Sequence, residues 1–452
     1  MPTQRPSRAV NRRQFLGRSA ALAGVLGFPA IVPSSALGRA EATAPSNRVV
    51  LGCIGLGIQG LGNMRTFRGN QEVQVVAVCD VHEPRRLEGK RLVDEYYDNQ
   101  DCAAYGDYRE LTAREDIDAV QITSPDHWHP LMAIEATRRG KHLYCEKPIG
   151  WSFRAAQAVR KAVRDSGVIF QFGTQQRSGG RFRFACELVR NGKIGQLQTI
   201  LVGVPGSWTC PKQPTEPVPP ELDYDRWLGP APEAPYCYQR CRPWTQKEGY
   251  SVWYSISDYC MGMIGNWGVH HLDIAQWGNG TDRSGPVSVE GTAVFPQDML
   301  TDAATSWQVE NRYANGVTLV HMDDGTARKH SLQVGNYGHG VLFRGSEGWV
   351  HVDRGTIDAE PKSLLKLTLG QDDLQLFKSD NHHANFMDAI LGRTQPAAPI
   401  DIAVCSDALC HLQQIAVKLR RKLQWDPERE AFVNDDEANQ MLDRPMRAPW
   451  SL

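Results

Sequence analysis

Two short segments of the sequence carry side chains that could transfer protons. One is Glu146-Lys147-Pro148, which follows an apolar run from His142 to Cys145. A lysine that is partly desolvated at the end of a strand can have its pKa lowered enough to relay a proton. The other segment contains His270, whose imidazole can act as a base near neutral pH. Lys147 and His270 are therefore the candidate catalytic residues.

Polar residues lie at helical spacing around His270. Asn266 precedes it by four positions, and its amide could orient a substrate or the imidazole, although it cannot take a proton. Asp273 follows His270 by three positions on the same helix face, where it could supply a carboxylate or hold a hydroxyl group. We expect Asn266 and Asp273 to bind substrate. The alternative is that His270 or His271 is a hydrogen-bonded histidine of the core.

A glycine-rich loop has the pattern of a nucleotide-binding turn. The apolar run from Arg48 to Ile54 leads directly into Gly55-Leu56-Gly57-Ile58-Gln59-Gly60. In such a loop the first glycine permits a tight turn, the second admits a pyrophosphate, and the third lets the helix pack against the strand. The candidate cofactor-binding residues here are Gly55, Gly57, Ile58, Gln59 and Gly60.

An acidic residue follows the next apolar run. Val73 to Val78 ends at Cys79-Asp80, which is the spacing expected for the carboxylate that binds ribose hydroxyls. A negative charge at Asp80 would repel a 2′-phosphate, so the sequence favours NAD over NADP. His82, Arg85 and Arg86 lie close by and leave NADP open.

These motifs lie at the ends of predicted strands. Further strands are predicted at 119–123, 142–145 and 168–172, with helices near 131–139 and 153–165 between them. This alternation predicts a parallel, doubly wound α/β sheet, whose ligands bind outside the carboxyl ends of the strands. Two loops leave those ends, so the residues expected to face the cofactor are Ser124, Pro125, His129, Glu146 and Lys147.

The second half of the chain has a different pattern. Apolar runs at 197–204, 287–295, 306–313, 317–321 and 341–352 are separated by Gly or Asn turns, which predicts an α+β domain with a mostly antiparallel open sheet. The stretch 205–258 is rich in proline and in aromatic residues, namely Trp208, Trp227, Trp244, Trp253 and Tyr254. Aromatic faces suit the apolar side of sugar rings. We expect Tyr254 to contact substrate and most of the others to pack.

Length and composition bound the class of protein. A chain of 452 residues is long enough for two domains, and we expect a signal and linker at 1–45, a dinucleotide-binding domain at 46–172, a substrate and oligomerisation domain at 173–424, and a tail packed back on the fold at 425–452. The net charge of -1 gives no field that would attract nucleic acid or an anionic membrane. The 11 cysteines lack paired zinc-site spacing, so no metal is predicted. Cys237 and Cys241 alone leave a disulfide or a metal open.

The N-terminus has the layout of a secretory signal. Arg12-Arg13 is followed by Phe15-Leu16 and by an apolar run from Ala20 to Val32, which is too short to anchor the protein stably in a membrane. The adjacent arginines resemble a twin-arginine signal, which implies export of a folded protein to the periplasm by the twin-arginine machinery. A protein exported in this way would fold around its nucleotide first, so we expect tight binding. The alternative is a disordered basic tail.

Four motifs in order resemble the glucose-fructose oxidoreductase, inositol dehydrogenase and rhizopine-catabolism family, written Gfo/Idh/MocA. They are the glycine loop, the loop from Ser124 to His129, Glu146-Lys147-Pro148, and the segment from Asn266 to Trp277. A tail around Trp425-Asp426-Pro427 and Pro449-Trp450 resembles the exported branch of the family.

The resemblance implies roles for individual residues. Lys147 would approach both the nicotinamide and the substrate hydroxyl, and His270 fills the family's histidine position. Asn266 stands where the family has a carboxylate, which is a departure from its pattern. Arg177 matches a polar position near the site. The open sheet would carry the contacts of a homo-oligomer, a dimer or tetramer.

The sequence thus predicts an exported NAD(P)-dependent oxidoreductase that transfers hydride at a carbinol carbon of a sugar, polyol or glycoside. Two alternatives remain open at this point. One is a glycoside hydrolase that uses NAD for transient oxidation. The other is a non-catalytic protein that binds sugar and NAD, which the asparagine at position 266 keeps open.

Overall fold

A six-stranded parallel sheet forms the N-terminal half of the fold. The computed structural model describes residues 47–242, 251–331 and 337–452. Neighbouring strands in the order β3-β2-β1-β4-β5-β6 are all parallel, which confirms the predicted doubly wound sheet. The strands are β1 Val49–Ile54, β2 Val73–Cys79, β3 Ala103–Tyr105, β4 Ala119–Ile122, β5 His142–Cys145 and β6 Phe170–Phe172. Strand β3 has only three residues and gives no pattern in the sequence.

Helices connect these strands and cover the sheet. They are α1 Ile58–Arg68, α2 Glu83–Tyr97, α3 Tyr108–Thr112, α4 His129–Arg138 and α5 Phe153–Ser166. Helix α5 shows how the sequence sets such an element. The Ser152 side chain accepts a hydrogen bond from the Ala155 amide at 3.2 Å and caps the start, and Gly167 ends the helix with φ +68°. The apolar side chains of Phe153, Val159 and Val163 are buried on one face.

A nine-stranded mixed sheet forms the C-terminal half. Its order is β13-β12-β11-β7-β10-β9-β8-β14-β15, in which β7 and β10 are parallel and the other pairs are antiparallel. The strands are β7 Leu197–Val204, β8 Ser288–Val294, β9 Ser306–Arg312, β10 Thr318–Asp323, β11 Gly340–Gly345, β12 Trp349–Val352, β13 Ile357–Glu360, β14 Leu423–Asp426 and β15 Ala431–Phe432. The run predicted as one strand at 341–352 is therefore a hairpin.

The remaining helices lie around this second sheet. They are α6 Gly180–Arg190, α7 Tyr224–Leu228, α8 Tyr238–Cys241, α9 Gly262–Asn266, α10 Gly268–Asn279, α11 Asp324–Ser331, α12 His382–Ile390, α13 Ile400–Leu419 and α14 Asp436–Gln440. Helix α13 is long and apolar enough to cross a membrane by length and composition, but most of it is buried inside the fold. It is a core helix, packed against α5, α10 and β8.

One hydrophobic core joins the two sheets. It contains Ile122 and Leu143 of the parallel sheet, Val202 and Val309 of the mixed sheet, and Leu412 of α13 between them. Residues Val49–Leu452 accordingly form one compact unit. The tail beyond residue 425 packs back on the N-terminal half, where the Arg160 guanidinium pairs with Glu430 at 2.5 Å.

Two sequence predictions fall outside the described residues. The export signal and linker at 1–45 is one of them. The other is the aromatic side chain of Trp244.

Candidate active site

A cavity of about 350 Å³ lies at the carboxyl ends of the parallel strands. The glycine loop, Asp80, the loop from Ser124 and Glu146-Lys147 line one side of it. The C-terminal half contributes further lining residues, among them Trp253, Tyr254, Asn266, Trp267, His270 and Arg354. The two halves of the fold therefore contribute to one site.

The glycine loop is shaped for a phosphate group. Gly55 has φ +82°, and a Cβ on it would lie 2.5 Å from the Thr123 carbonyl. A Cβ on Gly60 would lie 1.9 Å from the Gly55 carbonyl oxygen, so this position also requires glycine. A Cβ on Gly57 would meet no atom of the described chain within 4 Å, because it faces the cavity. Gly57 is the N-cap of α1 and offers no side chain to cap it, so the first amides of this helix can bind an anion.

The Asp80 carboxylate is fixed by backbone amides at the end of β2. One oxygen accepts from the Leu56 amide at 2.8 Å, and the other accepts from the His82 amide at 2.9 Å. Each carboxylate oxygen keeps a further lone pair for a ribose hydroxyl. Arg85 also lines the cavity, whereas Arg86 donates to the Asp80 carbonyl oxygen at 2.9 Å.

His129 ties the two predicted loops together. One ring nitrogen lies 2.6 Å from the carbonyl oxygen of Pro148, and the other lies 2.8 Å from that of Ser124. The Lys147–Pro148 peptide is cis. Ser124, Pro125 and His129 all line the cavity, and His129 holds the loop that carries Lys147.

Glu146 is held from helix α1. Its Oε1 accepts hydrogen bonds from Asn63 Nδ2 at 3.0 Å and from Gln59 Nε2 at 3.3 Å. Burial raises the pKa of Glu146. Gln59 lines the cavity and also holds the Glu146 side chain, which follows β5. Ile58 lines the cavity as well, and about half of its surface is exposed.

Two carboxyl groups act on the pKa of the buried Lys147. Burial lowers the pKa of Lys147, and the charges of Glu146 and Asp126 oppose this shift. Asp126 is only 2% exposed, and its Oδ2 has no hydrogen-bond partner within the described part of the chain. Burial raises the pKa of Asp126 well above its usual range, with the charge of Lys147 acting against it. Asp126 is not among the site residues predicted from the sequence, although it lies inside the predicted loop.

His270 is a buried, neutral imidazole at the cavity. Burial lowers its pKa well below the usual range, and the positive charges of Lys147 and Arg354 lower the pKa further. Its Nδ1 is buried and has no partner in the residues the structure describes. The same holds for Nδ2 of Asn266, one turn earlier.

Five buried polar atoms of cavity-lining residues consequently lack a partner among residues 47–242, 251–331 and 337–452. They are Ser124 Oγ, Asp126 Oδ2, Asn266 Nδ2, His270 Nδ1 and Trp450 Nε1. Buried polar groups in folded proteins are nearly always hydrogen-bonded, so these donors and acceptors fit a ligand that carries several hydroxyl groups.

The structure does not bring Arg177 and Asp273 to the cavity. Arg177 donates from Nε and Nη2 to the Asp273 carboxylate at 2.7 and 2.9 Å, and from Nη1 to Asp282 at 3.1 Å. Ser406 donates at 2.6 Å to Oδ1 of Asp273, the oxygen that also accepts from Arg177 Nη2. Arg177 is 3% exposed and Asp273 is fully buried. The predicted substrate role of this pair is corrected to a structural one, because the Asp273 carboxylate is engaged by Arg177 and by Ser406 of α13 and does not line the cavity.

Aromatic rings form much of the cavity surface. Trp253 and Tyr254 stack with ring centroids 3.9 Å apart, and both line the cavity. Trp267 also lines it, with the Arg354 guanidinium 4.5 Å from its ring centroid. Trp227 and Trp450 are further aromatic residues that line the cavity. Trp208 does not line the cavity and instead contacts Tyr254 edge-to-face at 6.4 Å.

The cysteines and paired histidines are structural in the described chain. Cys237 and Cys241 are free thiols. His382 Nε2 lies 2.6 Å from the Phe172 carbonyl oxygen, and the His383 ring stacks on Tyr144. Among the described residues, no group of three or more His, Cys, Asp or Glu side chains could hold a metal ion.

Models of known protein families match two stretches of the chain. Residues 49–174 match the oxidoreductase family's NAD-binding Rossmann fold, and residues 207–452 match its C-terminal alpha/beta domain. The chain belongs to the Gfo/Idh/MocA oxidoreductase family. The Gly55 loop and Asp80 are thus part of an NAD-binding domain.

Individual characterised proteins resemble the chain at low identity. It is 23% identical over 308 residues to 2,7-anhydro-N-acetylneuraminate hydratase of Mediterraneibacter gnavus, covering 66% of each chain. It is 27% identical to myo-inositol 2-dehydrogenase of Thermotoga maritima, over 40% of this chain and 49% of that one. It is 33% identical to alpha-N-acetylgalactosaminidase of Shewanella oneidensis, over 36% and 37%. The aligned parts therefore span between 37% and 66% of these relatives.

Solved structures share the Gfo/Idh/MocA fold. Scyllo-inositol dehydrogenase from Lactobacillus casei, with bound NAD(H) and scyllo-inositol, superimposes with a TM-score of 0.56 at 15% identity, covering 83% of this chain and 99% of that one. Aldose-aldose oxidoreductase from Caulobacter crescentus, complexed with glycerol, gives 0.57 at 17% identity with the same coverage.

Proposed function

We propose that this protein is an NAD-dependent oxidoreductase that acts on a CH–OH carbon of a sugar, polyol or glycoside. The observation that carries the proposal is the cavity itself. It joins a phosphate-binding glycine loop, a buried lysine and a neutral histidine to buried polar atoms that lack partners in the described chain.

The residues of the N-terminal half fit a dinucleotide. The uncapped start of α1 and the open face of Gly57 suit a pyrophosphate, and Asp80 suits the ribose hydroxyls. The carboxylate of Asp80 would repel a 2′-phosphate and so supports NAD over NADP. Arg85 also lines the cavity and could pair with a 2′-phosphate, so the experiment below identifies which nucleotide is bound. When bound, the nicotinamide supplies an acceptor and a donor of hydride.

The residues of the C-terminal half fit a polyhydroxylated substrate. Asn266 Nδ2 can donate to a substrate oxygen, and the stacked rings of Trp253 and Tyr254 offer an apolar face to a sugar ring. Lys147 holds the reacting hydroxyl oxygen. The His270 imidazole, which burial keeps neutral, accepts the proton of that hydroxyl.

The proposal is tested by identifying the bound nucleotide by mass spectrometry and incubating the protein with sugars, polyols and glycosides. Net oxidation of a carbinol is the expected result. In His270→Ala, kcat should fall by about 10²- to 10⁴-fold, the usual contribution of a general base, while nucleotide binding is retained. Unchanged turnover in this variant would remove His270 from the mechanism. A wild-type protein that binds nucleotide and sugar without turnover would instead support a binding protein.

A second candidate is a glycoside hydrolase that oxidises its substrate transiently and returns the hydride to it. It is favoured by the 33% identity to alpha-N-acetylgalactosaminidase over 173 residues. His270 and Lys147 would have the same roles in proton transfer and in holding the reacting hydroxyl. Release of free sugar without net change in the redox state of the nucleotide distinguishes this outcome from a dehydrogenase.

Export through the twin-arginine machinery is also part of the proposal, and it rests on Arg12-Arg13 and the apolar run after them. In cell fractionation the wild-type protein should be recovered from the periplasm with its nucleotide bound. Replacement of both arginines by lysine should leave it in the cytoplasm. Recovery of both forms in the cytoplasm would contradict export.

A further inference from the structure

The C-terminal tail reaches the nucleotide cavity. Trp450 is one of the residues that line it, although it lies at the opposite end of the sequence from the glycine loop. We infer that residues 446–452, here called the tail strap, close the adenosine end of the cavity and slow the release of NAD. This inference rests on the proposed binding of NAD.

Arg447 fixes the tail strap to helix α7 and to the turn that follows it at 229–230. Its backbone amide donates to the Pro230 carbonyl at 2.9 Å, and its Nε donates to the Gly229 carbonyl at 3.0 Å. Its Nη1 and Nη2 donate to the Asp225 carboxylate at 2.6 Å and to the Asp225 carbonyl at 2.9 Å. The Trp450 amide then donates to the Arg447 carbonyl at 3.0 Å, which turns the chain towards the cavity.

Trp450 rests on aromatic side chains of the N-terminal half. Its ring meets that of Trp128 edge-to-face with centroids 4.8 Å apart, and Trp128 meets Tyr108 at 5.7 Å. The Arg109 guanidinium lies 5.4 Å from the Trp450 ring centroid. Trp450 therefore joins the tail strap to the nucleotide-binding domain.

The sheet order tells which end of the cavity this is. Asp80 follows β2 and Tyr108 follows β3, and these two strands form one edge of the parallel sheet. Lys147 follows β5, on the other side of β1 and β4. Trp450 thus lies towards the carboxylate that suits the adenosine ribose and away from the proton-transfer residues.

The indole of Trp450 has an unused donor. Its Nε1 is buried and has no acceptor in the chain as described, and an indole N–H can only donate. The adenosine half of a dinucleotide presents acceptors in its ribose oxygens and ring nitrogens. An aromatic face and one N–H at this position match a planar base and its sugar.

The test uses the full-length protein and measures NADH release after a chase with excess NAD, together with the affinity for ADP-ribose, which lacks the nicotinamide. Trp450→Ala should release NADH about tenfold faster and bind ADP-ribose about tenfold more weakly, the equivalent of about 1.4 kcal/mol. Trp450→Phe keeps a ring without the donor and should give an intermediate change. Arg447→Ala should also speed release, because it frees the tail strap. Leu452→Ala, an exposed residue of the same tail, is the control and should match the wild type.

Three results would overturn the inference. One is an unchanged release rate in both Trp450→Ala and Trp450→Phe, and another is a loss of NADH affinity without any loss for ADP-ribose. The third, a wild-type protein that binds neither NADH nor ADP-ribose, would overturn the proposed function as well. A wild-type protein that binds both, with variants that release NADH at the same rate, would contradict the tail strap alone.

Discussion

At the scale of single residues, the cavity keeps a lysine, a histidine and two carboxyl groups largely out of water. The charged form of each group is disfavoured by burial, and neighbouring charges decide how far each pKa moves. The charges of Glu146 and Asp126 raise the pKa of Lys147, whereas the charges of Lys147 and Arg354 lower the pKa of His270. Negative charges thus oppose the lowering of the lysine pKa, whereas positive charges add to the lowering of the histidine pKa.

This arrangement predicts the pH profile of kcat/KM. A base must be unprotonated, and the pKa of His270 lies below its ordinary 6.5, so activity should persist below pH 6.5 and fall only in more acidic solution. If Lys147 acts as a cation, the alkaline fall should lie below its ordinary 10.5. Rates measured across the pH range check both limbs. An acid limb at or above 6.5 would contradict the assignment of His270 as the base.

Asp126 can be tested through the same profile. Its carboxyl raises the pKa of Lys147, so Asp126→Asn should move the alkaline limb to lower pH. Glu233→Gln, at an exposed position, is the control and should leave both limbs in place. An unmoved limb in Asp126→Asn would show that Asp126 does not act on Lys147.

At the scale of elements, strand ends and helix starts create the nucleotide-binding part of the site. Its main features could be predicted because the glycines, Asp80 and the Ser124 and Lys147 loops follow apolar runs with recognisable spacing. Arg354 and Trp450 could not be predicted, since only the packing of distant segments brings them to the cavity. The substrate role expected of Asp273 failed for a related reason: spacing along a helix does not reveal which neighbour a face meets.

Two glycines of the same loop should respond differently to alanine. Gly57→Ala adds a methyl group in open space at an ordinary φ of -66°, so the protein should keep its melting temperature but bind NAD at least about tenfold more weakly. Gly60→Ala forces a contact with the Gly55 carbonyl and should lower the melting temperature. Thermal unfolding and NAD titration of both variants check this. Unimpaired NAD binding in Gly57→Ala would argue against a pyrophosphate at the start of α1.

At the scale of the whole molecule, the two sheets share one core, with helix α13 between them. The buried Arg177–Asp273 pair adds a polar link, because it joins the segment after β6 to α10 and, through Ser406, to α13. Residues Val49–Leu452 should therefore unfold in a single cooperative transition.

Asp273→Asn tests the structural role of this link. It leaves the Arg177 charge with a weaker partner, and breaking a buried pair costs about 3–5 kcal/mol. The free energy of unfolding should fall accordingly, while KM for the substrate stays unchanged because Asp273 does not line the cavity. Asp282→Asn, which removes one bond at a 19% exposed side chain, should cost less. A changed KM with unaltered stability would restore Asp273 to the substrate site.

The common core also limits how the protein can be divided. Cutting the chain between residues 172 and 173 would expose a hydrophobic surface on each fragment. The N-terminal fragment would expose Ile122 and Leu143, and the C-terminal fragment would expose Val202 and Leu412. The nucleotide-binding portion is thus unsuited to transplantation as an autonomous module. Laboratory recombination with other dehydrogenases would need to exchange the matching faces of both portions together.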